Sequence, residues 1–600
     1  MILQSLVHLY DEMGKKGEIA EEGWSLAKVT HRAEIDREGH LLRLIPIFQT
    51  VQKGKKTAEV PRDILVVPAQ VKRSSGVKAN FLCDGPAYFF GIDEGKPERA
   101  IDCFEAARKL HHAVLDGCDS DTAKALLAFF DGWSVETAMT HPVIAANLEE
   151  LRSSRNLIFL VDEKDPLKDD KIRDAWGRYQ EVPAEEETDT GICLVTGKEH
   201  QKIARLHPAI KGVMGAQSSG ATLVAFNGDS FCSYGHDGEQ GANAPISERA
   251  AFAYASALNA LLRDRDHAKV FGDTTVVYWT ERAEKQVQDV FAALISGDRG
   301  TVDDAALNSI VESMKNGIPA DLNGVRIDPD EPFYILGLAP NAARLAVRFF
   351  LKNTFGKTVE CIAAHQERMR LSGPSWEKGM TPLWRTLKAT VNPHAKDSAS
   401  SPLLAGSLLR AVFTDSLYPE AMFQNIMLRI FSDQDSDSGE KGRKVEKVSY
   451  TKAAFIKAYL LKNKKQRWED EIFMAVNENC REISYVLGRL FSVLENIQMQ
   501  ANPNINTTIK ERYFNSACAT PASVFPTLLK LANAHMDKLK DNTPASIFFK
   551  KKIGSLMEKI TMPDEGTPLP NRLSLEEQGA FVLGYYQETQ ARYAGKKEEN

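Results

Sequence analysis

Residues 333–351 read FYILGLAPNAARLAVRFFL, and this stretch decides the fold class of the first two thirds of the chain. Two apolar arms, rich in aromatic and β-branched residues, flank a turn sequence that contains Pro340, a pattern typical of a β-hairpin. On the second arm Arg344 and Arg348 alternate with apolar residues, and the two-residue period of a strand places both arginines on one face. We therefore expect a β-hairpin that carries two cationic side chains.

Other strands and helices precede this hairpin. Residues 274–279 have the composition of a strand, and the Ala-rich residues 248–262 that of a helix. Residues 60–95 indicate β structure with loops, whereas residues 97–180 are mostly helical in pattern. Glycine-rich loops fill much of the interval between 191 and 241, which opens with a candidate strand at 191–195.

Beyond about residue 400 the pattern is almost wholly helical. A wide apolar stripe from Tyr485 to Leu494 indicates a helix, and Ser574 with Glu577 has the spacing of a capping box at the start of the last helix. The predicted fold class is α+β: a mixed α/β N-terminal region with β-hairpins and Gly-rich loops, followed by an all-α C-terminal helical bundle. A polar break at 397–401 suggests two domains, 1–395 and 400–600.

Length and composition exclude several classes of protein. With 600 residues, 43% of them hydrophobic and 26% charged, the chain is long enough for two to four globular domains, at roughly 100–200 residues each. The opening segment carries Asp11 and Glu12 and is predicted to be an amphipathic helix rather than a signal peptide, and no apolar run could span a bilayer. Eight cysteines without a CxxC pair argue against a zinc site and indicate a reducing, cytoplasmic environment.

The net charge of −6 conceals an uneven distribution. Residues 401–600 contain 27 Lys and Arg against 24 Asp and Glu, and residues 441–467 alone contain ten cations against Glu446. A local basic patch of this kind suits phosphate binding whatever the total charge is. A solvated helix face would show the same pattern.

No catalytic constellation is visible in the sequence. Residues 215–222, GAQSSGAT, have the glycine spacing of a phosphate-binding P-loop, but Ala221 replaces the lysine that reaches the phosphates. Glycines let a backbone approach a ligand closely, and a glutamine can both donate and accept hydrogen bonds, as a reader of base edges must. The segment 212–227 is therefore predicted either to read nucleic acid or to be a tight turn between buried strands. Neither a cofactor nor a metal ion is expected.

A set of unusual motifs resembles one known family along the chain. The motifs are MILQSL (1–6), VPAQ (67–70), RSSG (73–76), NFLCDG (80–85), CLVTG (193–197), ARLHP (204–208), KGV (211–213), QSSGA (217–221), FN (226–227), SYG (233–235), NAP (243–245), LGLAPNAAR (336–344), LGRLF (487–491) and TIKERYF (508–514). They occur in the same order in the large subunit of the type I-C CRISPR Cascade complex, and the resemblance runs from the first residue to about Tyr586.

The resemblance implies a non-catalytic, RNA-guided role in bacterial antiviral defence. Such subunits sit beside the 5′ handle of the guide RNA (crRNA) and the subunit that binds it, and they contact the backbone and small subunits. They read a short protospacer-adjacent motif (PAM), commonly TTC-like, in double-stranded target DNA and start strand separation, while base pairing reads the rest. They then hold the displaced strand of the R-loop and help recruit a separate helicase–nuclease.

Residue roles follow from the resemblance as hypotheses. The expected PAM and DNA contacts are Lys72, Arg73, Lys78 and Asn80 in a basic loop, and Gly215, Gln217, Ser218, Ser219, Gly220 and Asn227, with the Gln-Ser-Ser sequence as wedge or minor-groove reader. The expected contacts to the strand backbone are Arg344, Arg348, Lys441, Arg443, Lys444, Lys462, Lys464, Lys465 and Arg467.

The resemblance also implies a second translation product. Genes of this kind can yield the helical C-terminus alone, used as the small subunit, and Met474 is the expected internal start for a 474–600 product. Met499 is a weaker candidate because it would cut a helix, and Met474 could instead be a core residue. Two alternatives to DNA reading remain open: a structural scaffold that does not read the PAM, and a nucleotide-dependent nuclease.

Overall fold

The computed structural model describes the chain except for 18 positions or short segments. The residues that it does not describe are 17, 54–55, 62–63, 72–75, 94, 154–155, 182–189, 227, 237–240, 265–266, 283, 298–301, 378, 396–399, 437–443, 540–542, 561–568 and 596–600. Five of the residues predicted to bind DNA lie outside the described residues, namely Lys72, Arg73, Asn227, Lys441 and Arg443.

The described residues form helices and strands in an α+β arrangement, as predicted. The helices are α1 (Ile2–Lys15), α2 (Pro86–Phe89), α3 (Pro97–Leu115), α4 (Asp121–Gly132), α5 (Pro142–Ala146), α6 (Leu148–Ser153), α7 (Asp170–Glu181), α8 (Glu248–Arg263), α9 (Lys285–Ser296), α10 (Asp304–Lys315), α11 (Phe355–Met369), α12 (Leu383–Lys388), α13 (Pro402–Thr414), α14 (Glu420–Ser432), α15 (Tyr450–Asn463), α16 (Lys465–Trp468), α17 (Ile483–Ala501), α18 (Ile509–Ala519), α19 (Pro521–Met536), α20 (Pro544–Ile560) and α21 (Leu575–Gly595). The strands are β1 (Trp24–Lys28), β2 (His31–Ile35), β3 (Leu41–Pro46), β4 (Phe48–Lys53), β5 (Lys56–Pro61), β6 (Ile64–Pro68), β7 (Cys83–Asp84), β8 (Leu157–Val161), β9 (Thr190–Gly191), β10 (Gln201–Lys202), β11 (Ala268–Phe271), β12 (Thr274–Thr280), β13 (Ala320–Leu322), β14 (Val325–Ile327), β15 (Pro332–Asn341) and β16 (Arg344–Thr354).

The chain divides into two compact units, and each is discontinuous in sequence. The first unit contains Met1–Pro208 and Ala225–Ala257, and the second contains Ala209–Val224 and Leu258–Asn600. The division therefore does not fall at 395–400, where the polar break suggested it. The break instead lies within the second unit, because the sheet before it and the helices after it share a core: Phe349 of β16 and Phe413 of α13 are in edge contact, with ring centroids 6.2 Å apart.

The first unit is built around a mixed four-stranded sheet in the order β3-β2-β8-β7. β2 pairs with β8 in parallel and with β3 antiparallel, and β7 pairs with β8 antiparallel. An aromatic core lies against β8, where Phe159 contacts both Phe89 and Phe129 with centroids 4.6 and 5.0 Å apart. Antiparallel pairs β1–β6, β4–β5 and β9–β10 complete its strands among the described residues.

The second unit combines an antiparallel sheet in the order β11-β12-β15-β16 with the C-terminal helices. β15 and β16 are the arms of the predicted hairpin, and their register from Pro332–Thr354 to Asn341–Arg344 leaves a two-residue turn. Ala342 in this turn has a left-handed φ of 52°. The hairpin, the helical C-terminus and the helix that carries the stripe 485–494 are thus confirmed, whereas the strand at 191–195 is reduced to Thr190–Gly191.

Helices α17 and α21 pack unusually closely. A Cβ on Gly488 of α17 would lie 2.0 Å from the carbonyl oxygen of Phe581, and a Cβ on Gly584 of α21 would lie 2.2 Å from that of Tyr485. The predicted capping box at the start of α21 is present, since Ser574 Oγ accepts from the amide of Glu577 and the Glu577 carboxylate accepts from the amide of Ser574. Two glycines that face each other across the pair allow the helix backbones to touch.

Candidate nucleic-acid interface

Residues 210–221 form a closed loop, here called the QSS loop after Gln217, Ser218 and Ser219. Its two ends are joined by a pair of backbone hydrogen bonds between Ile210 and Ala221, of 2.8 and 2.9 Å. Both of these residues are buried, at 0% and 1% exposure. The loop therefore leaves and re-enters the second unit at one fixed point.

Three neighbouring elements anchor the QSS loop. The side chain of Asn259 on α8 accepts from the amide of Lys211 and donates to the carbonyl of Ala209, at 2.7 and 3.0 Å. Thr275 Oγ1 on β12 accepts from the amide of Met214 at 3.1 Å. Side-chain-to-backbone bonds of this kind fix a loop against the elements that support it.

The hairpin provides the third anchor, at the residue that follows the loop. The Thr222 amide donates to the carbonyl of Ala343 and the Thr222 carbonyl accepts from the amide of Leu345, both at 3.0 Å. Thr222 and Arg344 thereby form a short parallel bridge at the hairpin turn. The LGLAPNAAR motif and the QSSGA motif, more than a hundred residues apart, meet at this bridge.

Glycines shape the exposed tip of the QSS loop. The amide of Gly220 donates to the carbonyl of Gln217 at 2.9 Å and closes a turn in which Gln217, Ser218 and Ser219 are exposed. Gly220 has φ +101°, and a Cβ there would lie 2.8 Å from the Cβ of Ala209. Gly215 has φ +78°, and a Cβ there would lie 3.3 Å from Cγ of Pro340 on β15. Only glycine suits both positions, so the backbone presents one amide and two hydroxyl side chains on a fixed support.

The loop at 70–80 is held at its base by buried polar groups. Asn80 is only 5% exposed: its Oδ1 accepts from the amide of Val71 at 2.8 Å, and its own amide donates to Asp84 at 2.8 Å. The Asn80 side chain thus closes the loop, and its contact with DNA stays a prediction. Lys78 is exposed.

His111 supports the same loop from α3. Its Nε2 accepts from the amide of Leu82 at 3.2 Å, and its Nδ1 bonds to the carbonyl of Ala107 at 2.7 Å. Burial lowers the pKa of His111 to about 4, so the ring is neutral and can accept at neutral pH. Leu82 has a left-handed φ of 54°, which this bond helps to hold. No spacing in the sequence links residues 82 and 111, and the sequence therefore gave no sign of this role.

The two arginines of the hairpin have different surroundings. A β-bulge shifts the register so that Gly337 pairs with Phe349 and Leu338 pairs with Val347, which leaves Arg348 at the bulge. Arg348 pairs with Asp273 at 3.0 Å and is 26% exposed. Its predicted contact with a DNA strand is thus replaced by an internal ion pair, whereas Arg344 lies beside the QSS loop at the hairpin turn.

The basic run at 441–467 does not form a free cationic track in the part that the structure describes. Lys462 pairs with Asp415 at 2.8 Å, Lys464 with Glu576 at 3.4 Å, Lys465 with Glu469 at 3.2 Å, and Arg467 with Glu482 and Glu577 at 2.8 and 3.1 Å. Lys447, Lys452 and Lys457 are buried. Most of the balancing carboxylates come from distant parts of the chain, and the contacts of these cations with the DNA backbone stay a prediction.

Comparison with known protein families identifies the family of this chain. The model of a family of CRISPR-associated proteins, Cas_Csd1, matches residues 6–593. The chain belongs to the Cas_Csd1 family. No curated protein sequence matches it. The match confirms that the motifs quoted above mark a CRISPR-associated protein, and it extends over both units of this Cas_Csd1 chain.

Met474 of the Cas_Csd1 chain lies on the surface and not in the core. Its side chain is 46% exposed, and it precedes α17 by a loop that runs from 475 to 482. Met499, at 40% exposure, lies within α17. A product that begins at 474 would therefore start in a loop and keep α17 to α21 whole, whereas one that begins at 499 would remove most of α17.

The Cas_Csd1 chain was also searched for metal sites and membrane spans. Among the residues that the structure describes, no three His, Cys, Asp or Glu side chains are grouped so that they could hold a metal ion. No described helix has the length and apolar character needed to cross a lipid bilayer.

Proposed function

We propose that this Cas_Csd1 protein is the non-catalytic large subunit of a type I-C Cascade complex. In this proposal it recognises the PAM in double-stranded DNA, promotes duplex opening and R-loop formation, contacts the displaced strand and helps to recruit the helicase–nuclease. Its partners are the guide RNA with its 5′-handle-binding subunit, the backbone and small subunits of the complex, and the target DNA.

The observation that carries the proposal is the support of the QSS loop. A tip that pushes between paired bases, or reads their edges, must resist displacement while it replaces base-pair hydrogen bonds. Gln217 offers an amide that can donate and accept, and Asn259, Thr275 and the hairpin turn hold its loop from three sides. An unsupported turn of the same sequence would lose this fixed position.

Ala221 supports a recognition role over nucleotide hydrolysis. A P-loop places its lysine on the phosphates and continues directly into a helix. Here Ala221 is 1% exposed and its amide bonds to Ile210, and the next residues pair with the hairpin turn instead of opening a helix. Substitution by lysine would bury a charge at this position.

Gln217→Ala is expected to abolish most of the PAM-dependent gain in duplex binding, by about tenfold, because a bidentate base contact contributes roughly 1–3 kcal/mol. The measurement is binding of the guide-loaded complex to matched duplexes with and without PAM, and to DNA opened in advance. Gln500→Ala, on an exposed face of α17, is the matched control. Binding to opened DNA should survive in both variants.

Two results would contradict this assignment at different levels. If the wild-type complex binds equally well without a PAM, the protein is a scaffold and does not read DNA. If the wild type depends on the PAM but Gln217→Ala does not change this, the reader lies elsewhere, and the loop at 70–80 becomes the first candidate.

We also propose that Met474 starts a second product. The residues directly after it are tied to the C-terminal helices: Asn477 donates its amide to Tyr485 at 3.1 Å, and Glu478 pairs with Lys552 of α20 at 2.9 Å. A chain that begins at 474 would keep these contacts. Intact mass spectrometry of the expressed gene should show a 474–600 species that Met474→Leu removes and Met499→Leu does not. A short species with another start would contradict the proposal.

A further inference from the structure

A cavity of about 300 Å³ lies in the second unit, between α12 with the segment after it and the start of α15. One wall carries Trp384, Lys388 and Asn392, and the facing wall carries Lys444, Ser449 and Lys452. None of these residues belongs to the QSS loop or to the loop at 70–80.

Trp384 gives this cavity an aromatic wall. Its side chain is 44% exposed, and its Nε1 donates to the carbonyl of Ser296 at 3.3 Å, which fixes the plane of the indole. Lys388 follows one helical turn later on α12, so both side chains project from the same face of the helix. An indole and a lysine four residues apart can contact a ring and its attached phosphate together.

Cations outnumber carboxylates in the lining of the cavity, which contains Arg385, Lys388, Lys444 and Lys452 against Asp433 and Glu446. Lys452 is buried and bonded to Asp433 at 2.7 Å, which makes it part of the wall. Lys444 is 68% exposed and has only a surface ion pair with Glu446 at 3.5 Å, a weak interaction that a phosphate can replace. Lys388 is exposed, and no ion pair of it occurs within the part of the chain that the structure describes.

We infer that this cavity binds a single nucleotide, with its base on Trp384 and its phosphate between Lys388 and Lys444. Volume, aromatic wall and two accessible ammonium groups match a base joined to a phosphate, the combination that single-strand-binding sites use. The amide of Asn392, whose Oδ1 already accepts from His394 at 3.0 Å, offers its NH₂ group to the base edge. The nucleotide is either free or part of a single strand. The inference goes beyond PAM reading and does not depend on it.

The test uses the full-length chain and two probes, a fluorescent ten-residue oligothymidylate and thymidine monophosphate. Trp384→Ala should weaken oligonucleotide binding about tenfold, because stacking on one aromatic ring has an effect of this order. Lys388→Gln should weaken it severalfold and reduce the slope of log affinity against log salt by about one. Trp376→Ala and Lys530→Gln are matched controls: Trp376 is 80% exposed, Lys530 lies on α19, and neither lines the cavity.

The outcomes separate the sources of the ligand and can overturn the inference. If the wild type binds thymidine monophosphate and Trp384→Ala does not, the cavity is a site for free nucleotides. If Trp384→Ala weakens binding of the oligonucleotide only, the cavity binds a nucleotide within a single strand. The inference is overturned if neither variant changes binding by more than twofold, if Trp376→Ala has the same effect, or if an acidic peptide binds in place of both probes. These assays contain no PAM, so their result is independent of the Gln217→Ala experiment.

Discussion

Gly488→Ala is expected to lower the free energy of unfolding of the second unit by about 3 kcal/mol. The added methyl group would lie 2.0 Å from the carbonyl oxygen of Phe581 and 2.9 Å from the amide nitrogen of Tyr585, both backbone atoms of α21. A flexible side chain could move away, but a helix backbone can yield only by separating the two helices. Because Gly584 makes the reciprocal contact with Tyr485, any separation also opens that side of the pair.

Gly554→Ala is the matched control for this substitution. Gly554 lies within α20, is exposed, and has nothing within 4 Å of a Cβ, so alanine there should stabilise the helix by about 0.5–1 kcal/mol. Urea unfolding followed by far-ultraviolet circular dichroism gives the midpoint for each variant. If Gly488→Ala unfolds at the same urea concentration as the wild type, the close packing of α17 on α21 is not real.

Arg489→Met should cost about 3 kcal/mol at neutral pH, because it leaves the nearly buried carboxylate of Glu588 without its main partner. The guanidinium of Arg489 is completely buried; it donates to Glu588 at 2.8 Å and to the carbonyl of Asn477 at 2.9 Å, and it also pairs with Glu478. Lys552 contacts the carboxylates of Glu478 and Glu588, at 2.9 and 3.1 Å, and would still neutralise part of their charge in the variant. Arg410→Met, on an exposed position of α13, should change stability by less than about 0.5 kcal/mol.

Acid should reduce the difference in stability between the wild type and Arg489→Met. Burial raises the pKa of Glu478, but the hydrogen bonds from Arg489 and Lys552 outweigh it and lower the pKa to about 2, below the ordinary 4.5. The stability from this carboxylate is therefore complete above about pH 4.5 and is lost as the pH falls toward 2. The difference between wild type and Arg489→Met should shrink over that range. A difference that is constant from pH 7 to pH 3 would contradict the assigned network.

Local patterns in the sequence predicted the elements well. The alternation around Pro340 gave both arms of the hairpin, and the spacing of Ser574 and Glu577 gave the start of α21. Such patterns depend on neighbours within a few residues, which the sequence displays directly.

The charge counts did not reveal ion-pair partners that are remote in sequence. Lys462 and Asp415 are 47 residues apart, and Arg467 and Glu577 are 110 residues apart. A count of charges in a window cannot include such partners. The turn of the QSS loop was visible in its glycines, but the supporting groups Asn259 and Thr275 were not, since each is an ordinary residue of a regular element. The cavity beside Trp384 likewise joins segments about sixty residues apart in sequence.

The support of the QSS loop also sets an order in time. Thr222 bonds to Ala343, 121 residues later, so a ribosome that adds about 5–20 residues per second completes the support on the order of ten seconds after it makes the loop. During that interval the nascent chain contains Gln217 but not yet the hairpin turn that helps to hold its loop. A fragment that ends before Leu345 would contain every residue of the loop and still lack one of its three anchors, so the fixed position of the loop depends on residues from the second half of the chain.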